Sequence, residues 1–263
     1  MKVLPFAALL ALVQAPAGAE MVKVNGIDLH YDVAGAGEPL ILLHGFGSCA
    51  SGWSKTAAVL AKKYKVISVD ARGHGRSTNP SDKFEHAQAA EDVRALLDEL
   101  KIENARAIGF SSGGITLLHL ATRHPTRLSK MVVIGATTRF PDQAREILQS
   151  VSTDTLPPEV LEGFRTCATR GEPQVQSIVS QFRALGFSVT DTNLQPADLA
   201  KIKARTLIVH GDRDIFFPVE IPVATYRSIK TSELWIVPNG DHSPTAGAST
   251  EDFLRKVEAF LAN

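Results

Sequence analysis

The chain has 263 residues, of which 44% are apolar and 21% charged. This is an ordinary globular balance, with enough chain for a sizeable core. Basic and acidic residues both number 28, so no charge excess draws the protein to nucleic acid or to anionic lipid.

Lys2 is the only charge among the first nineteen residues, and an apolar run follows from position 3 to position 13. Gln14 and Pro16 break it, and Ala17-Gly18-Ala19 supplies small residues ahead of Glu20. The pattern predicts a secretory signal over 1–19, an exported (periplasmic or secreted) protein and no stable membrane insertion, since the run is too short to span a bilayer. Cys49 and Cys167 could then form a disulfide in an oxidising compartment. The favoured expectation, however, is two free thiols packing as small apolar residues.

Beyond the leader, Val22-Lys23-Val24 and residues 27–31, joined through Asn25-Gly26, read as a hairpin. Leu40-Ile41-Leu42-Leu43 and Val66-Ile67-Ser68-Val69 are apolar runs expected of strands covered on both faces. Between them Trp53, Ala57, Leu60, Ala61 and Tyr64 recur at helical spacing, as do Val93, Leu96, Leu97 and Leu100 further on. Further strands are predicted at 105–109, 131–134, 207–209 and 234–237, and a helix at 115–123. A final helix carries Phe253, Leu254, Val257, Phe260 and Leu261 on one face, with a capping-box-like start at Ser249 and Asp252. Alternating strands and helices predict an α/β fold, with a mostly parallel central sheet and helices on both faces.

The alternation stops at 138–200. Helical segments at 144–151, 159–168 and 174–185 are separated by Pro157-Pro158, Gly171 and Pro173, which predicts a small helical cap inserted between core parts 20–137 and 201–263. Phe140, Phe164, Phe182 and Phe187 could line a cavity beneath it, but internal cap packing is the favoured expectation.

Gly109-Phe110-Ser111-Ser112-Gly113 is a G-x-S-x-G placed where a strand ends and a helix begins. A sharp turn there strains Ser111 and presents its hydroxyl at the sheet rim, which predicts a nucleophile. Ser112 is one residue off the turn centre and is better placed to offer its main-chain N–H to an oxyanion. His44-Gly45-Phe46-Gly47 follows another strand, and Phe46, flanked by glycines, is the candidate second donor. His44 is expected to hold the loop.

His210-Gly211-Asp212-Arg213-Asp214 and Asn239-Gly240-Asp241-His242 each follow a strand at the same sheet edge. His242 is the candidate general base. Asp214 and Asp212 compete for the carboxylate that orients it, and the D-x-x-x-P offset to Pro218 favours Asp214. Asp241 is poorly placed, because adjacent side chains diverge. The other histidines (His30, His74, His86, His119, His124, His210) are scattered and read as solvated or core residues, and no cluster suggests a metal.

Together HGFG at 44–47, DARGHGRS at 70–77, GFSSGG at 109–114, GDRDIFFP at 211–218 and GDH at 240–242 resemble the α/β-hydrolase superfamily, from about Val22 to the C-terminus except the cap. The resemblance implies a Ser111–His242–Asp214 triad, an oxyanion hole from Phe46 and Ser112, a structural role for 70–77, and no cofactor. Two features depart from it: Asp241 stands where the family more often has a small residue, and a leader is unusual among small intracellular members. The implied activity is hydrolysis of a carboxylic ester or lactone, a small-molecule substrate, through an acyl-enzyme. Perhydrolysis, amide cleavage or carbon–carbon bond hydrolysis would use the same residues, and a non-catalytic binding module is the alternative of another class.

Overall fold

The computed structural model describes residues 18–245 and 250–262. Residues 1–17 of the expected leader lie outside these, as does Ser249 of the expected capping box. Among the described residues the strands form one eight-stranded sheet. Its first strands, β1 (Gly18–Val24) and β2 (Ile27–Ala34), are the hairpin, with Gly18 and Ala19 pairing with Val33 and Asp32. β2 also lies antiparallel to β4 (Tyr64–Val69). From β4 onward the pairings are parallel, through β3 (Glu38–Leu43), β5 (Ala105–Phe110), β6 (Leu128–Ile134), β7 (Arg205–Gly211) and β8 (Ser232–Val237).

Helices cover both faces, which is why the central strands lack alternation. On one face α2 (His86–Glu99) and α3 (Ser112–Arg123) bury Val93, Leu96, Leu97, Leu117 and Leu118 against Ile41, Leu43 and Val133. On the other, Leu60 of α1 (Ser54–Leu60) and Phe253, Val257 and Phe260 of α9 (Thr250–Ala262) close over Leu40, Leu42 and Ile108.

The segment after β6 forms α4 (Asp142–Gln149), α5 (Pro158–Cys167) and α6 (Glu172–Leu185). Arg139 bridges Asn193 and the Leu194 N–H donates to the Thr138 carbonyl at 2.9 Å, tying the way in to the way out. α7 (Pro196–Leu199) and α8 (Glu220–Ser228) complete the described α-helices.

Phe164 packs with Leu161, Val175, Ile178 and Val179 inside this helical layer. Phe140 instead packs with Phe84, Ile115 and Phe217 of the core. Phe182 stacks on Phe46 with ring centroids 4.9 Å apart. Phe187 departs from the packing expectation altogether, at 60% exposed. The expectation of free thiols is also corrected: Cys49 and Cys167 are disulfide-bonded, their Cα atoms 5.6 Å apart because α5 lies directly on the loop after β3.

Candidate active site

Strand β5 runs out at Phe110 and α3 starts at Ser112, leaving Ser111 to make the turn alone. Its φ of 49° and ψ of −115° lie in a region that side-chain-bearing residues rarely occupy. Holding it there costs about 1–3 kcal/mol, supplied by the surrounding packing. The glycines of the motif answer a steric demand. A Cβ on Gly113 would sit 2.3 Å from the Leu43 carbonyl oxygen, and one on Gly109 would sit 2.5 Å from that of Gly113.

Three strand ends converge on this turn. His242 Nε2 lies 2.9 Å from Ser111 Oγ, and His242 Nδ1 lies 2.8 Å from Asp214 Oδ2. The carboxylate accepts a hydrogen bond from Nδ1–H and so keeps the proton on that nitrogen, which leaves Nε2 as the acceptor facing the hydroxyl. Asp214 Oδ1 accepts the N–H groups of Phe216 at 2.8 Å and Phe217 at 3.1 Å. Burial pushes the Asp214 carboxyl up, but its hydrogen bond to His242 and the other donors outweigh this and hold it below the usual range. It therefore stays ionised at neutral pH. Gly211 permits the close crossing of the two loops: a Cβ there would meet the Gly240 and Asp241 carbonyl oxygens at 2.2 Å. Asp212 is exposed and does not reach His242. Asp241 accepts the Ser243 N–H at 2.8 Å on the exposed side of its turn.

The loop 44–47 lies beside Ser111. His44 donates from Nδ1 to the Gly45 carbonyl at 2.8 Å and accepts the Ala71 N–H on Nε2 at 3.0 Å. Burial keeps its pKa below the ordinary histidine range, so it is a neutral brace for the loop. The main-chain N–H groups of Phe46 and Ser112 bond to no other described residue. The Phe46 ring packs against Phe84 and Phe182, while Phe110, Phe216 and Phe217 surround the His242 imidazole within 5.5 Å.

The stretch 70–77 is knitted into the core. Asp70 takes His30 Nδ1 at 2.8 Å, the Ala50 N–H at 2.6 Å and the Arg76 N–H at 2.9 Å, and Arg72 pairs with buried Asp92. Among the described residues no three His, Cys, Asp or Glu side chains gather as metal ligands. His30, His74, His86, His119 and His210 are all buried. Sequence reasoning did not single out His86, which bonds to both Ser112 and Asp191, because its partner carboxylate lies 105 positions away and leaves no local signal.

The family model of the alpha/beta hydrolase fold matches residues 38–166. Serine hydrolase BPHL of Mus musculus is 32% identical over 254 residues, covering 91% of this chain and 85% of its own. The chain belongs to the α/β-hydrolase family. As an α/β-hydrolase it is a hydrolytic enzyme, and its strand order and strand-to-helix turn are those that carry the family motif. Among other α/β-hydrolases, a pimeloyl-acyl-carrier-protein methyl ester esterase of Vibrio vulnificus is 26% identical over 256 residues, 89% of this chain and 98% of its own. The solved enol-lactonase of Burkholderia xenovorans LB400 has the same fold, with a TM-score of 0.75 at 23% identity over 93% of this chain and all of its own.

Proposed function

We propose that this α/β-hydrolase cleaves a carboxylic ester or lactone by way of an acyl-enzyme on Ser111. The reading rests on one observation: Oγ of the strained serine, the imidazole of His242 and the Asp214 carboxylate form a single hydrogen-bonded line. His242 takes the Ser111 proton as Oγ attacks the carbonyl carbon. Asp214 holds the tautomer and stabilises the imidazolium. The N–H groups of Phe46 and Ser112 receive the oxyanion. The tetrahedral species then collapses, His242 returns the proton to the departing alkoxide, and a water activated by the same imidazole releases the acid.

The phenylalanines at 46, 84, 140, 216 and 217 make the surroundings apolar, which favours an apolar group on the substrate. We also propose that the enzyme acts after export. Its disulfide, of a kind that persists in oxidising compartments, supports this together with the leader pattern.

A panel of p-nitrophenyl esters, lactones and anilides tests the reading on wild-type enzyme and Ser111→Ala. Turnover of esters or lactones that disappears in the variant is the expected result. Turnover confined to anilides, or retained by the variant, overturns it.

A further inference from the structure

Behind Ser111 lies a second line of serine, histidine and aspartate. Ser112 Oγ is 2.9 Å from His86 Nε2, and His86 Nδ1 bonds to Asp191 Oδ2. The other carboxylate oxygen, Oδ1, accepts the His86 main-chain N–H at 2.7 Å. All three residues are buried, at 6%, 1% and 7% exposure respectively. The carboxylate beside Nδ1 keeps the proton there, so Nε2 accepts from the Ser112 hydroxyl.

This arrangement does not make Ser112 a second nucleophile. Ser112 is the first residue of α3, and its hydroxyl is enclosed. What distinguishes Ser112 is how its polar groups are used. Its hydroxyl is held by His86, its carbonyl accepts Thr116 Oγ1 at 2.9 Å, and its N–H bonds to no described residue.

The far end of the line has an equally specific origin. His86 opens α2, and the side chain of the residue before it, Glu85, makes no capping bond. Asp191 supplies one from the segment by which the chain leaves the α4–α6 layer, two residues from the Arg139–Asn193 bridge. A carboxylate at a helix N-terminus is favourably placed. Thr192 Oγ1 donates to Asp191 Oδ2 at 3.1 Å, and the Asp191 N–H donates to Ser188 Oγ at 3.1 Å. Apolar side chains could fill the same volume without desolvating an ionised group. They could not fix the direction in which Ser112 is held.

We propose that Asp191 and His86 are positioning residues that aim the Ser112 N–H at the oxyanion, so that transition-state binding depends on how the exit of the helical layer is seated. The proposal rests on the reading of Ser111 as nucleophile. Loss of a whole oxyanion donor costs 100- to 1,000-fold in turnover in other hydrolases. Here the donor stays and only its support is lost, so a smaller effect is expected, on the order of tenfold.

Steady-state kinetics with p-nitrophenyl butyrate on wild type, Ser112→Ala, Asp191→Asn and the double variant test this. A trifluoromethyl ketone inhibitor, which mimics the tetrahedral species, is titrated against each. Both single variants should lose about tenfold in kcat, with KM within about twofold and a matching loss of inhibitor affinity. The double variant should be no worse than either single one, since both changes act through one hydroxyl. Wild-type kcat in both single variants, losses that multiply in the double variant, or a change confined to melting temperature would overturn the proposal. If Asp191→Asn does not fold, Ser112→Ala decides alone: lowered kcat at unchanged KM supports positioning, and unchanged kcat refutes it. Ser111→Ala separates the two levels of failure. An inactive Ser111→Ala beside unimpaired relay variants sinks only the relay, whereas an active Ser111→Ala sinks the nucleophile reading itself.

Discussion

Cys167, the last residue of α5, is bonded to Cys49, which stands three residues after Phe46, so one covalent link joins the helical layer to the candidate oxyanion loop. The two cysteines are 118 positions apart. A loop of that size restricts the unfolded chain strongly, by about 4–5 kcal/mol in the chain-entropy description. Replacing both cysteines by serine should therefore lower stability by about 2–5 kcal/mol, read as a lower urea midpoint. The wild-type protein in excess dithiothreitol should approach the variant's midpoint. Equal midpoints with and without the bond would contradict this.

The backbone at Ser111 sets up a second expectation. With φ at 49°, a residue without a Cβ relieves the strain, whereas alanine retains it. Ser111→Gly and Ser111→Ala should both be inactive, with the glycine variant more stable by about 1 kcal/mol. An alanine variant of equal or greater stability would show that the turn is not strained.

Asp214, not Asp212, meets His242. Asp214→Asn offers an amide where a carboxylate should hold the Nδ1 proton, and kcat should fall by about 10⁴-fold, as other triads lose when the tautomer is wrong. Asp212→Asn should stay within about threefold of wild type, for it is exposed and outside the hydrogen-bonded line. The reverse order of severity in kcat would reassign the acid.

Two buried histidines set up an expectation for stability in mild acid. Burial pushes the His74 imidazole down to about 3 and His119 to about 4. In the unfolded chain both would protonate near 6.5. Below about 6.5 the unfolded state binds the extra protons, so stability is complete above that value and is lost as pH falls toward the folded values. Urea midpoints should drop between pH 7 and pH 5, each histidine contributing on the order of 1 kcal/mol. His119→Leu should make the drop shallower. A midpoint independent of pH across that window would refute the assignment.

Much of this was legible in the sequence where the determinant was local. The continuous apolar runs at 40–43 and 131–134 announce strands covered on both faces, and Gly109 and Gly113 announce a turn with no room for Cβ atoms. The start of α2 was not legible, because His86 and Asp92 interrupt the apolar period with buried polar groups. Their partners, Asp191 and Arg72, come from elsewhere in the chain. α8 was missed because it buries only Ile221, Pro222 and Thr225, too sparse a stripe to read as a helix. The cysteine pair illustrates the same limit: proximity between Cys49 and Cys167 is created by the seating of α5, which no spacing encodes.

The most direct test is covalent labelling of the folded protein with a fluorophosphonate, followed by peptide mass spectrometry. A single adduct on Ser111, absent from Ser111→Ala and strongly slowed in His242→Ala, is the expected result. A folded protein that takes no label, or takes it at another residue, would contradict the assignment of Ser111 as the nucleophile.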